Sequence, residues 1–169
     1  GIDDPTAVAR FSVTEFGLHN MILSGGKSTE FLDPYTTGID YYIAYNKSSL
    51  EGVLNDFECL TEETKQKSSL ESKRNVNLNL YRDADDRRLR TYRLAQSCTA
   101  EYGNLFRGNT SDPIAVQKAR IQAQMAITMT RVNGVYENDL GITMIFVANN
   151  DQIIYLGATN SDPWNGEFN

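Results

Sequence analysis

A regular stripe of apolar residues, lying between a proline and a glycine, constrains the fold more than any other feature of this sequence. The stripe recurs at spacings of 7, 4, 3, 4 and 3 residues and comprises Ile114, Ile121, Met125, Thr128, Val132 and Val135. Such spacings describe one face of an α-helix. We predict Asp112 as the helix N-cap, Pro113 as the first helical residue and Gly141 as the residue after the helix end.

Segments typical of β-strands flank this long helix. Residues 91–99 are predicted as a strand and residues 100–106 as a short helix. Residues 142–148 form a mostly apolar run, which predicts a strand buried on both faces. Residues 152–156 are predicted as a further strand. A strand, a long helix and a strand make a βαβ unit, in which the strands are parallel and the crossover is right-handed.

The first 60 residues have a different character. Alternating or β-branched and aromatic segments predict strands at 9–14, 20–23, 29–35 and 40–46. Gly25-Gly26-Lys27-Ser28 is predicted as a hairpin turn, because it lacks the spacing and the following helix of a phosphate loop. The fold class is therefore predicted as α+β, with a β-rich module at residues 1–60 before the α/β unit at residues 91–169.

A charged stretch separates the two units. Residues 61–90 contain few apolar side chains and many charged ones, so they cannot bury enough surface to offset the chain entropy of ordering. We predict a mobile linker over 61–90, and a solvated helix is the alternative. Because residues 162–169 have the composition of a loop leading onward, we expect the chain to be a fragment of a longer protein.

Charge and histidine content exclude several kinds of function. The net charge is −6, from 16 basic and 22 acidic residues, which argues against a nucleic-acid binder or a binder of anionic membranes. The apolar runs are far shorter than the roughly 20 residues that span a bilayer. His19 is the single histidine, and we predict it at a strand end. A zinc centre built on several histidines cannot be assembled from this chain alone, and we predict no catalytic residue and no metal ligand set in it.

The two cysteines, Cys59 and Cys98, leave several interpretations open. They can form one disulfide in an oxidising compartment, or either can pair with a cysteine outside this sequence. One of them can instead serve as a thiolate ligand to a metal held elsewhere, and a buried free thiol is the remaining interpretation.

Three separated blocks in the second half carry a resemblance to a known family. These blocks are RTYRLA at 90–95 with CTAEY at 98–102, MTRVNGVYENDLGI at 129–142, and FVANND at 146–151. In this order they resemble the start of the catalytic domain in bacterial reprolysin-like (adamalysin-type, metzincin) zinc metallopeptidases. Residues 1–60 resemble the end of the propeptide of such a precursor more weakly.

The resemblance implies a secreted or cell-surface zinc metalloendopeptidase zymogen that hydrolyses peptide bonds in a protein or peptide substrate. The family's zinc motif, H-E-x-x-H-x-x-G-x-x-H, does not occur in this sequence. The implied zinc therefore belongs to the parent enzyme, none is bound by this chain alone, and we expect the chain to be inactive by itself. The implied partner is the remainder of the catalytic domain, with self-association as the other prediction, and we expect no nucleic acid or membrane partner.

The resemblance also suggests roles for residues near the junction. Arg87, Arg88 and Arg90 become candidates for recognition at an activation cleavage site, with a merely solvated charge run as the alternative. Cys59 becomes the candidate zinc-switch ligand, since a thiolate in the open zinc position blocks the nucleophilic water. The alternatives to the zymogen fragment are a stand-alone α+β binding or inhibitory module, and an adhesion or structural domain. A zinc motif downstream would discriminate among them.

Overall fold

The computed structural model describes residues 1–50, 87–158 and 162–163. Within these residues the chain forms a four-stranded antiparallel sheet, a two-stranded parallel sheet and a long helix. This mixed content confirms the predicted α+β class. Cys59 and residues 61–86 of the predicted linker lie outside the described residues.

The first part of the chain is an antiparallel β-meander. Strands β1 (Val8–Thr14), β2 (Gly17–Leu23), β3 (Glu30–Pro34) and β4 (Tyr42–Asn46) lie side by side in chain order. The predicted turn is confirmed, since the Lys27 amide donates to the Ser24 carbonyl at 3.3 Å. His19, however, lies inside β2 opposite Ser12, so its prediction as a strand-end residue is wrong. The tight hairpin after Thr14 extends β2 to Gly17, beyond the apolar run seen in the sequence.

Alternation along the strands gives the meander two distinct faces. The inner face packs toward the long helix and carries Val8, Arg10, Ser12, His19, Met21, Leu23, Phe31, Asp33, Ile43 and Tyr45. The outer face carries the apolar residues Ala9, Phe11, Val13, Leu18, Ile22, Leu32, Pro34, Tyr42 and Ala44, together with the polar Asn20, Glu30 and Asn46. Phe11 and Val13 are 66% and 73% exposed, so the outer face presents apolar side chains to solvent.

The second part contains a parallel strand pair connected through helices. Strand β5 (Arg90–Leu94) pairs in parallel with β6 (Ile142–Phe146), and Arg90 lies opposite Ile142. Helices α1 (Ala100–Phe106) and α2 (Ile114–Leu140) lie between them in sequence. The predicted parallel pairing across a helical crossover is confirmed.

The two ends of α2 follow the sequence closely, with a one-residue correction at the start. Pro113, rather than Asp112, is the N-cap: its ψ is 142°, and its carbonyl accepts from the Val116 amide at 2.9 Å. Asp112 is therefore not the cap. Gly141 follows the helix in the left-handed conformation at φ 62°, as predicted for a residue without a Cβ.

Helix α2 buries two sides rather than the single predicted stripe. Ile121 and Met125 join Cys98 and Ile154 in the main apolar cluster. Ile127, Met129 and Gly134 are also buried, whereas the predicted stripe residue Ile114 is 59% exposed. The helix contacts both the meander and β6, and a helix packed on two sides cannot show a single clean apolar stripe.

The strands predicted near the end of the chain are shorter than expected. Strand β6 ends at Phe146, and Ile145 is 54% exposed, so burial on both faces is wrong. The strand predicted at 152–156 is instead a 3₁₀ helix, Asn150–Ile153, followed by one bridge between Ile154 and Cys98.

The buried side chain of Asn150 explains why the parallel strands end early. The side chain of Asn150 accepts from the Gln96 amide at 2.8 Å and donates to the Gln96 carbonyl at 3.0 Å. Asn150 is fully buried. The side-chain amide of Asn150 thus occupies the backbone groups of Gln96 that a neighbouring strand would otherwise bind. The strand predicted at 91–99 therefore ends at Leu94.

Candidate functional site

The inner face of the meander meets α2 through a carboxylate that serves two partners. Asp33 on β3 forms an ion pair with Arg131 of α2 and accepts a hydrogen bond from the Tyr45 hydroxyl at 2.6 Å. The Arg131 guanidinium also lies over the Phe31 ring, 5.2 Å from its centroid. Burial, followed by the hydrogen bond to Asp33, raises the pKa of Tyr45 above its ordinary value. Tyr45 therefore stays a protonated donor to this carboxylate.

Two more ion pairs join the same surfaces. Arg10 on β1 pairs with Glu137 near the C-terminal end of α2. Glu15, in the turn between β1 and β2, pairs with Arg120 of α2 at 3.0 Å. We call the pairs Arg10–Glu137, Asp33–Arg131 and Glu15–Arg120 the ionic clasp, since each joins the meander to α2.

The meander and the helical part also meet through close apolar contacts. A Cβ placed on Gly134 of α2 would lie 2.4 Å from the terminal methyl of Met21. The absence of a side chain at Gly134 is what lets β2 approach the helix there. Phe16 meets Phe106 of α1 edge to face, with ring centroids 6.4 Å apart.

Within the part of the chain that the structure describes, several polar atoms of this interface have no hydrogen-bond partner. They are buried and comprise Arg10 Nε, Ser12 Oγ, His19 Nδ1 and Arg131 Nε. Burial lowers the pKa of His19, Asp33 acts in the opposite sense, and Arg131 lowers it further. His19 is thus held neutral in the interface rather than presented as a cation.

The three arginines predicted at an activation site lie beside the C-terminal end of α2. Arg87 and Arg88 are exposed, and Arg87 has a left-handed backbone at φ 58°. They line a shallow groove with Glu137 and Asp139. Arg90 differs: it is the first residue of β5, and its amide donates to the Gly141 carbonyl at 2.8 Å. The linker predicted to end at residue 90 therefore overlaps the parallel sheet by one residue.

The two cysteines cannot be compared directly, because Cys59 lies outside the described residues. Cys98 carries a free, buried thiol in the main apolar cluster. Burial raises its pKa, so the thiolate form is disfavoured. This environment is typical of a packing residue rather than of a nucleophile or metal ligand.

The described residues do not fit a zinc site. His19, the single histidine, is held next to the positively charged Arg131. Among residues 1–50, 87–158 and 162–163, no three His, Cys, Asp or Glu side chains are grouped so that they could hold a metal ion. These residues instead support binding between the charged side chains of the meander and those of α2.

The ionic clasp was missed by the sequence analysis. Its residues come from segments far apart in the chain, and each looks like an ordinary surface charge. Alternation along β1 points the other way, since the apolar Phe11 and Val13 lie on the face opposite to Arg10, and the structure exposes that apolar face.

Comparisons with known proteins give no relative for this chain. No family model, no curated protein and no solved structure matches it. No helix in the part of the chain that the structure describes is both long and apolar enough to cross a membrane.

Proposed function

We propose that this chain is part of a secreted or cell-surface zinc metalloendopeptidase precursor of the reprolysin-like group. In this proposal the meander belongs to the pro-segment, and the part from β5 onward begins the catalytic domain. The proposal rests on the resemblance of the blocks at 90–102, 129–142 and 146–151. The single structural observation that supports it is the docking of the meander on α2 through the ionic clasp, as expected for a pro-segment held against its enzyme.

In this proposal, the residues of this chain hold the pro-segment against the start of the catalytic domain, and they do not catalyse. Zinc and the histidines that hold it would come from the rest of the parent enzyme, where the metal activates water for attack on a peptide bond. Arg87 and Arg88 are the candidate cleavage residues, since both are exposed. Arg90 is the weaker candidate, because its backbone is hydrogen-bonded at the start of β5.

The experiment is to read the coding sequence beyond Asn169 and to assay the whole precursor. We expect an H-E-x-x-H-x-x-G-x-x-H motif downstream and peptide hydrolysis that a zinc chelator abolishes. Residues 1–169 alone should not hydrolyse peptides, with or without zinc. A downstream sequence without the motif, or a whole protein without chelator-sensitive hydrolysis, would refute the proposal.

Maturation and latency give two further tests in the whole precursor. Replacing Arg87 and Arg88 together by glutamine should block the activating cleavage, while Lys27→Gln combined with Lys47→Gln removes two exposed charges elsewhere and serves as the matched control. Cys59→Ala should raise the activity of the uncleaved precursor if Cys59 is the zinc-switch ligand. Unchanged latency would remove that role from Cys59.

A stand-alone α+β binding or inhibitory module is the second candidate function. The observation that favours it is the outer face of the meander, where Phe11 and Val13 are exposed. Exposed apolar patches of this kind are typical of interaction surfaces. A downstream sequence without a zinc motif, together with tight binding of another protein to this face, would favour this function.

A further inference from the structure

The two sides of the meander–α2 interface have complementary charges. The meander contributes the cation Arg10 and the anions Glu15 and Asp33 to the clasp. Helix α2 contributes the opposite set, Glu137, Arg120 and Arg131. A mixed pattern of this sort fixes one orientation of the partners, because a shifted or reversed meander would bring like charges together.

Apolar burial at this interface lies outside the main apolar cluster and centres on Met21, which is 3% exposed, and on the contact of Phe16 with Phe106. The main apolar cluster lies among Cys98, Ile121, Met125 and Ile154, and no residue of the meander is part of it. The unpartnered Ser12 Oγ and His19 Nδ1 show that the polar groups between the surfaces are incompletely satisfied. An interface of this composition depends on electrostatic attraction more than a domain core does.

The backbone arrangement leaves the meander separable. Its four strands are hydrogen-bonded in the order β1-β2-β3-β4, and the parallel sheet contains β5 and β6. In the described residues, therefore, no sheet crosses from one part to the other. Among the residues that the structure describes, side-chain contacts join the two parts.

From these observations we propose that residues 1–50 are a detachable partner of α2, bound through the ionic clasp with an affinity set by ionic strength. The α2 surface formed by Arg120, Arg131 and Glu137 is then a binding site for this meander even without a covalent connection. The inference deepens the proposed function, because such a pro-segment would leave its enzyme in a salt-dependent manner. It does not require peptidase activity, and the test below reads binding alone.

The test uses the full chain with a site-specific protease recognition sequence placed between residues 51 and 86. The folded protein is cut, and the two pieces are followed by size-exclusion chromatography and by titration. We use about 0.05 M and about 0.5 M NaCl, between which the Debye length falls from roughly 14 Å to roughly 4 Å. The pieces should co-elute at low salt, and their Kd should rise about tenfold or more at high salt.

Variants separate the clasp from general effects of charge. Arg131→Gln and Glu137→Gln should each weaken binding at low salt by about threefold to tenfold and reduce its salt dependence. Lys27→Gln is the matched control, since Lys27 pairs with Asp4 inside the meander. It should leave the Kd unchanged. Circular dichroism of each uncut variant checks its folding, and the reversed pair Asp33→Arg with Arg131→Asp should restore binding if a single change disrupts it.

Each remaining outcome overturns the proposal. Co-elution with the same Kd at both salt concentrations would show that apolar contacts hold the meander. Separation of the pieces even at low salt would show that the covalent connection holds it in place. Equal effects of Lys27→Gln and Arg131→Gln would show that net charge, rather than the clasp, governs binding.

Discussion

Arg131 of α2 forms an ion pair with Asp33 of β3, although 98 positions separate them in sequence. The same carboxylate accepts from the hydroxyl of Tyr45 on β4. One acidic side chain thus connects two strands of the meander to the long helix. Its partner Arg131 also covers the Phe31 ring, so the pair is partly shielded from water.

Asp33→Asn keeps the shape of this side chain and removes its charge. We expect the free energy of unfolding to fall by about 1–3 kcal/mol, because Arg131 loses a charged hydrogen-bond partner in a partly buried site. Urea denaturation measures the change. Arg131→Gln combined with Asp33→Asn should cost less than the sum of the two single changes.

Asp3→Asn is the control for this prediction, because Asp3 is an exposed carboxylate near the start of the chain. It should change the free energy of unfolding by less than about 0.5 kcal/mol. Equal losses for Asp33→Asn and Asp3→Asn would contradict the special position of Asp33.

Two glycines that approach other chain segments closely should respond differently to alanine. A Cβ on Gly103 of α1 would lie 2.2 Å from the Tyr155 carbonyl oxygen, which belongs to the backbone. A Cβ on Gly134 would meet side chains rather than backbone, at 2.4 Å from the terminal methyl of Met21 and 3.0 Å from Arg10 Cγ. We expect Gly103→Ala to lower the free energy of unfolding by about 2–3 kcal/mol, and Gly134→Ala to cost less, because alanine favours helix and Met21 can move.

Chemical denaturation of both variants tests this contrast, with Gly134→Ala also made in a Met21→Ala background. There the new methyl group no longer meets Met21 but still lies 3.0 Å from Arg10 Cγ, so Gly134→Ala should cost less than in the parent protein. A Gly103→Ala protein as stable as the parent would show that α1 can shift away from Tyr155 without loss.

The parts of the fold that the sequence predicts are those specified by local periodicity. Alternation predicted the meander strands, and the spacing before Gly141 predicted α2. The clasp could not be predicted in the same way, because the partner of Asp33 depends on how the meander packs against a distant helix. The limit of β5 likewise depends on Asn150, whose side chain reaches Gln96 from 54 positions away.

The environment of His19 predicts a dependence of stability on pH. The folded pKa of His19 lies below its ordinary value of 6.5, chiefly because burial disfavours the cation. As the pH falls through 6.5, His19 becomes protonated in the unfolded chain but stays neutral in the folded chain. The free energy of unfolding should therefore be greatest above this pH and should decrease as the pH falls toward the folded pKa.

Urea denaturation at pH values from about 7.5 to about 5.5 covers the range in which an unperturbed histidine titrates. His19→Gln should remove the part of the pH dependence that belongs to this residue, since glutamine does not titrate. The same slope in His19→Gln and in the parent protein would assign the pH dependence to other groups.

The outer face of the meander predicts weak association with a second copy of the chain. Four strands about 4.8 Å apart, with a length of roughly 20 Å, present a face of about 300 Å². That is well below the ~800 Å² that each partner buries in a stable interface, so we expect association in the micromolar range rather than a permanent dimer. Two sheets can pack face to face about 10 Å apart, which suits a symmetric pair of outer faces.

Light scattering and sedimentation over a range of concentrations test this prediction, with paired substitutions that distinguish two surfaces. Phe11→Glu together with Val13→Glu places charges on both exposed outer-face positions and should abolish association. Ile145→Glu places one charge on the exposed side of β6, where Ile145 is 54% exposed, and should leave association unchanged. If Ile145→Glu alone gives monomers, the parallel sheet is the contact surface. A parent protein that stays monomeric at every concentration would show that the outer face does not bind a second copy, because burying about 300 Å² of apolar surface would then not offset the cost of association.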